Sequence, residues 1–164
     1  MSPRIILLMG VAGSGKTTIG RLLATALGWP YHEADDYHSA ANKAKMGCSQ
    51  PLDDSDRAPW LAAIRAAMDE CRATGRSAVF SCSALKEQYR RVLLHGTTDV
   101  SLVFLSGDRD LLLARLQQRG GHYMKPAMLE SQLAILEPPA AALVLDVRQT
   151  PADLVAGIRR ALAL

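Results

Sequence analysis

Eight residues near the amino terminus could do chemistry by type and spacing: Gly10-Val11-Ala12-Gly13-Ser14-Gly15-Lys16-Thr17. They fit G-x-x-x-x-G-K-[ST], the phosphate-binding P-loop. Glycines at this spacing let backbone N–H groups close around a phosphate chain, and a helix starting there adds positive potential. Lys16 reaches the β- and γ-phosphates in such a loop, and the Thr17 hydroxyl ligates Mg²⁺. The apolar run Ile5-Ile6-Leu7-Leu8-Met9 precedes the motif, and Ile19, Leu22, Leu23, Ala26 and Leu27 follow it at helical spacing. The loop thus lies between a buried strand and a helix, the setting its mechanism needs. ATP or GTP binding follows; the use of the nucleotide has to be read from other residues.

Transfer of a phosphoryl group to a hydroxyl needs a carboxylate to take or orient the hydroxyl proton, and often one near Mg²⁺. Asp35 and Asp36 follow the expected second strand, with His38 one helical step later. Asp35 is the choice for base and for metal; a solvated loop acid or a helix cap is the alternative, equally open from the residue alone. Arg57, Lys86 and Arg90 are candidate clamps for an anionic acceptor, though each taken singly reads more plainly as a solvated surface charge. The third strand ends in Cys82-Ser83, where many P-loop proteins carry an aspartate. Either Ser83 acts on Mg²⁺ through water, or Asp35 supplies the carboxylate. Arg115 and Arg119 precede Gly120-Gly121-His122. An arginine swung in on a lid would stabilise the transferring phosphoryl, with the glycines as hinge; a helix end rich in arginine is the alternative.

The elements that must position these residues alternate apolar runs with amphipathic stretches, which predicts a parallel sheet covered on both faces. Strands are expected at 4–9, 29–34, 77–82, 100–105 and 142–147. A helix with Trp60, Leu61, Ile64, Met68 and Cys71 on one stripe is expected to be capped by Asp56, to hold Pro59 in its first turn and to end at Gly75. A last helix starts at Thr150-Pro151-Ala152-Asp153, a capping-box-like signal. The segments 33–57 and 115–139 leave the carboxyl edge of such a sheet, where ligands bind. They suit the acceptor site and a lid, and residues near 120–137 are expected to be open or disordered without ligand.

The 164 residues suit one domain, 1–164, with a real core. A net charge of +3, from 19 basic and 16 acidic residues without runs, argues against a nucleic-acid surface. Two Phe and two Trp offer no stacking platform for single strands. The odd set Cys48, Cys71 and Cys82 lacks zinc-ligand spacing and reads as reduced cysteines of a cytoplasmic protein. The start leads straight into the first strand, so no signal peptide is expected, and no apolar stretch approaches the roughly 20 residues of a membrane span.

Several segments together resemble the gluconate kinases (gluconokinases) of the P-loop kinase group. They are Met9 to Thr17; Ala34-Asp35 with His38, Asn42, Lys45 and Met46; Pro51-Leu52-Asp53-Asp54-Ser55-Asp56-Arg57 with Pro59-Trp60-Leu61; Cys82-Ser83-Ala84-Leu85-Lys86 with Tyr89 and Arg90; and Arg115-Leu116, Arg119, Gly121-His122, Ser131-Gln132 and Leu136-Glu137-Pro138. The stretches at 51–61 and 82–86 are much more specific than the P-loop. The resemblance implies a three-layer α/β/α fold with a five-stranded parallel sheet in order 2-3-1-4-5, a helical lid and a homodimer. It implies transfer of the ATP γ-phosphate to the 6-hydroxyl of D-gluconate with Mg²⁺. Lys16, Asp35 and Arg119 would be catalytic, Gly10 to Thr17 and Arg115 would hold nucleotide, and Asp35, His38, Asn42, Arg57, Lys86, Arg90 and His122 would hold the acceptor. Asp36 stands where an apolar residue is common, so either aspartate is open as the base.

Three other readings compete. A kinase for shikimate or a nucleoside would share the P-loop, the aspartate and the lid. A GTP-dependent switch would need a guanine-reading N-K-x-D, and Asn42-Lys43-Ala44-Lys45 lacks its aspartate. A nucleic-acid-dependent ATPase would need the basic surface that the charge balance denies.

Overall fold

The computed structural model describes residues 3–119 and 125–164; of Lys125 only the backbone is described. Gly120, Gly121 and His122 therefore lie outside the described residues. Among the described residues run five strands, β1 (Ile5–Met9), β2 (Tyr31–Glu33), β3 (Ala78–Ser81), β4 (Val100–Ser106) and β5 (Leu143–Asp146). The helices are α1 (Lys16–Leu27), α2 (Ala40–Gly47), α3 (Asp54–Ala73), α4 (Glu87–Leu94), α5 (Arg109–Gln118), α6 (Lys125–Ile135) and α7 (Pro151–Ala161), with a 3₁₀ turn at Ala34–Tyr37.

The strands pair in the order β2-β3-β1-β4-β5, all parallel, as expected. β1 takes the centre because every one of its residues is apolar and none needs solvent on either face. Its alternate side chains enter two cores. Ile5, Leu7 and Met9 pack with Trp60, Ile64, Met68 and Phe80 under α3 and α4. Ile6 and Leu8 pack with Ile19, Leu23, Leu112, Leu154 and Ile158 under α1, α5 and α7. Helices thus cover both faces, and all five strand carboxyl ends point to one edge.

The start of α3 differs from expectation. Asp53 is the N-cap, accepting from the Asp56 N–H at 2.7 Å, while Asp56 reaches back to the Asp53 N–H at 3.1 Å. Asp56 closes the capping box instead of opening the helix, and this moves Pro59 past the first turn. Thr74 caps the far end, with Gly75 beyond it at φ +69°. The Thr150 cap and Pro151 of α7 stand as expected. Of the expected lid, residues 125–137 are among those described: α6 is formed, Leu129 is fully buried, and Glu137 N–H donates to the Leu85 carbonyl at 2.9 Å. No helix among the described residues is long and apolar enough to cross a membrane.

Candidate active site

The P-loop spans the gap between β1 and α1. Gly15, the α1 N-cap, has φ +91° and offers no side-chain cap, so the helix N-terminus stays open to an anion. Gly10 has φ +154°, and a Cβ there would meet the Leu105 carbonyl at 2.8 Å; a bare backbone is needed where the loop leaves the sheet. Lys16 Nζ donates to the Val11 carbonyl at 3.1 Å. Burial pulls the Lys16 ammonium below its usual pKa, while the charges of Asp35 and Glu33 oppose that pull. Cys82, beneath it, is fully buried; burial lifts its thiol to about 12, so it is a neutral packing residue.

Thr17 Oγ1 donates to Glu33 Oε2 at 2.7 Å. Glu33 also accepts from Tyr31 OH at 2.6 Å and from Ser81 Oγ at 2.8 Å. Burial alone would raise this carboxyl, but the three hydroxyl donors and Lys16 outweigh it and hold the pKa below the usual range. Glu33 is the residue that sequence reasoning missed. It closes the short strand β2, opposite Ser81 in the β3 register, and supplies the carboxylate that the end of β3 lacks. The spacing Glu33-x-Asp35, two acids at a strand's carboxyl end, was the available signal.

Asp35 sits on the 3₁₀ turn directly after β2. Its surface reaches solvent, yet surrounding protein desolvates the carboxylate, and this together with the Glu33 charge raises its pKa against the pull of His38 and Lys16. Lys16 in turn feels Asp35. The turn is held by Trp60 of α3, whose Nε1 donates to the Ala34 carbonyl at 2.7 Å.

His38 is buried, stacks on Trp60 with ring centroids 4.3 Å apart, and lies 3.4 Å from the Asn42 side-chain amide through Nδ1. Asn42 also donates to the Asp56 carbonyl at 2.8 Å, and Lys45 pairs with the Asp56 carboxylate at 2.8 Å. These contacts tie α2 to the start of α3.

The three candidate cations separate. Arg57 and Lys86 converge on Tyr89, their charges 5.6 and 5.5 Å from its ring centroid. Arg57 also donates to Tyr89 OH at 3.2 Å, and Lys86 pairs with Asp54 at 3.2 Å. Arg90 is only 2% exposed and donates to the Ala84 and Leu85 carbonyls at 2.9 and 3.0 Å and to Glu87. Its donors are engaged within the protein, not offered to an acceptor. Arg90 braces the turn carrying Lys86, where Ala84 takes the costly φ of +46°.

On the other side of the P-loop a cavity of roughly 360 Å³ is lined by Gly13, Gly15, Thr18, Arg115, Arg119 and Gln149, among others. Arg115 donates to the Val147 carbonyl, which fixes the end of β5 against α5. Arg119 is exposed at the end of α5, and its charge is felt by Lys16. His122 lies outside the described residues. The structure therefore brings Lys16, Thr17, Asp35 and Arg119 to one edge and places Arg57 with Lys86 on a shared aromatic.

A P-loop joined to an acid after the second strand, on a 2-3-1-4-5 sheet, defines a small-molecule kinase of the P-loop group. The sequence profile of the shikimate kinase family matches residues 12–140. A probable gluconokinase of Rattus norvegicus is 45% identical over 158 residues, covering 85% of this chain and 85% of its own. A gluconokinase structure from Sinorhizobium meliloti is 40% identical with a TM-score of 0.84 over 97% of this chain and 93% of its own. A sugar kinase structure from a Janibacter species is 41% identical with a TM-score of 0.89 over 98% and 95%. The chain belongs to the gluconokinase family.

Proposed function

We propose that this chain transfers the γ-phosphoryl group of ATP to the 6-hydroxyl of D-gluconate, giving 6-phospho-D-gluconate and ADP. One observation carries the acceptor: two cations, Arg57 and Lys86, both lie against the Tyr89 ring, an arrangement suited to a carboxylate-bearing polyol. The gluconokinases at 40–45% identity support the same reading.

Asp35 takes the proton of the attacking hydroxyl; its raised pKa makes it a better base than an ordinary aspartate. Lys16 and the loop N–H groups from Gly10 to Thr17 hold the phosphate chain, and Arg119 neutralises charge that develops on the phosphoryl oxygens. Arg115 holds the nucleotide cavity against the end of β5. His38, Asn42 and His122 contribute polar groups to the acceptor, while Arg90 supports Lys86 from within.

Mg²⁺ fits the donor set. Thr17 gives its only proton to Glu33, which leaves its oxygen lone pairs for a hard cation, and Glu33 or Asp35 can hold the cation's waters. When bound, the ion neutralises phosphate charge. We further propose a single domain over 1–164 with a lid at 115–139, a cytoplasmic location, which the three free cysteines suit, and a homodimer, to be checked by light scattering.

The test is ATP consumption with Mg²⁺ against D-gluconate, other sugar acids, shikimate and nucleosides. Gluconate is expected to give the highest kcat/KM. The likeness to the shikimate kinase profile makes shikimate the second candidate, and a preference for it would overturn the gluconate assignment.

A further inference from the structure

The Ala12 N–H belongs to the phosphate loop, yet its partner comes from the far end of the chain. Gln132, on α6, accepts from it through Oε1 at 2.6 Å. The same peptide unit faces the P-loop lysine on its other side, where the Val11 carbonyl accepts from Lys16 Nζ at 3.1 Å. Gln132 is thus one peptide away from the ammonium that grips the β- and γ-phosphates. The N–H groups of this loop serve phosphate oxygens, and one of them is engaged by a neutral carboxamide.

A carboxamide can play two parts. Turned over about its last bond, it presents two N–H donors where it had presented an acceptor. A phosphate oxygen is charged and is the stronger acceptor for the Ala12 N–H. We propose that Gln132 is a phosphate-contacting residue: the terminal phosphoryl group takes the Ala12 N–H from Gln132, and the Gln132 amide turns to donate to that same group. This rests on the ATP-dependent kinase reading above.

The mounting of Gln132 suits that role. Leu129, one turn earlier on α6, is fully buried. Glu137, just beyond the helix, donates its N–H to the Leu85 carbonyl at 2.9 Å and accepts from the Glu87 N–H at 2.6 Å. The segment bearing Gln132 is therefore anchored at Glu137 to the turn that carries Lys86, which keeps the side chain beside the P-loop.

Gln132→Glu separates this role from a brace. A glutamate can still accept from Ala12 but cannot donate and opposes a phosphoryl group. Calorimetry without gluconate would compare Mg·AMPPNP with Mg·ADP for wild type, Gln132→Glu and Gln132→Met. Gln132→Glu is expected to keep its melting temperature and ADP affinity while AMPPNP binding weakens at least about tenfold, the like charge facing the third phosphate. Gln132→Met is expected to show the same selective loss, smaller, with kcat lowered and gluconate KM unchanged. Equal losses for both nucleotides, a wild-type AMPPNP affinity in Gln132→Glu, or a change confined to gluconate KM would overturn the proposal. Because the comparison uses nucleotides alone, a wrong acceptor assignment would leave it intact and show only as absent gluconate turnover.

Discussion

Replacing Glu33 by glutamine removes a charge and leaves the shape almost unchanged. The carboxylate accepts three hydroxyl hydrogen bonds, from Tyr31, Thr17 and Ser81 at 2.6 to 2.8 Å. Hydrogen bonds to a charged group contribute about 1.5–3 kcal/mol each, against about 0.5–1.5 for neutral ones. The new side-chain NH₂ must also face at least one hydroxyl that now has to turn. Allowing for partial solvent exposure, the fold should lose about 2 kcal/mol, or roughly 4–8 °C of melting temperature for a chain of this size. The larger effect falls on Thr17, whose proton no longer has a charged acceptor, so its lone pairs are no longer aimed at a cation. Loss of such an outer partner costs about 10–100-fold in metal affinity. The assay is kcat against Mg²⁺ concentration at saturating ATP and gluconate, with a parallel melt from pH 7 to pH 3. Because the folded pKa of Glu33 is depressed, its contribution is present above the ordinary glutamate value and is lost as pH falls through the lowered one. The Glu33→Gln substitution should flatten that acid-side loss. A variant with wild-type Mg²⁺ dependence and wild-type melting would refute the reasoning.

The other predictions concern the acceptor side and the core. Asp35→Asn should lower kcat/KM by about 10²–10⁴, and the wild-type profile should lose activity, as pH falls, above the ordinary aspartate range, because Asp35 is raised; a comparable loss in Asp36→Asn would move the base to Asp36. Arg57→Ala should raise gluconate KM about tenfold or more, the cost of one charge-assisted contact, and an unchanged KM would remove Arg57 from the acceptor site. His32 and His38 have pKa values lowered first by burial. Both bind fewer protons folded than unfolded, so their stability contribution is full above about pH 6.5 and declines as pH falls below it. His32 stacks on Phe80 at 4.4 Å, so His32→Phe should reduce that pH dependence in thermal melts, and an unchanged slope would exclude His32.

Much of the molecule is legible in the sequence. The P-loop is contiguous, and its glycines, lysine and threonine carry their meaning within eight positions. The runs at 5–9, 78–81 and 100–106 are long or apolar enough to announce buried parallel strands. The cap at Thr150 is likewise local. Where two local signals competed, the local geometry used both: Asp53 and Asp56 can each cap a helix, and the capping box gives each a different role.

What the chain alone determined is chemistry between near neighbours, because a turn, a helix start or a P-loop is closed by residues a few positions apart. The tertiary structure decided which distant groups meet. Glu33 reaches Ser81 because β2 and β3 run parallel with those two residues in register. Arg57 and Lys86 share Tyr89 because α3 and α4 lie together on one face, while Arg90 turns inward to the Ala84 and Leu85 carbonyls. Gln132 finds Ala12 across 120 positions. A carboxylate, guanidinium or amide has the same composition wherever it falls; its partners, and so its pKa and its work, come from the packing that surrounds it.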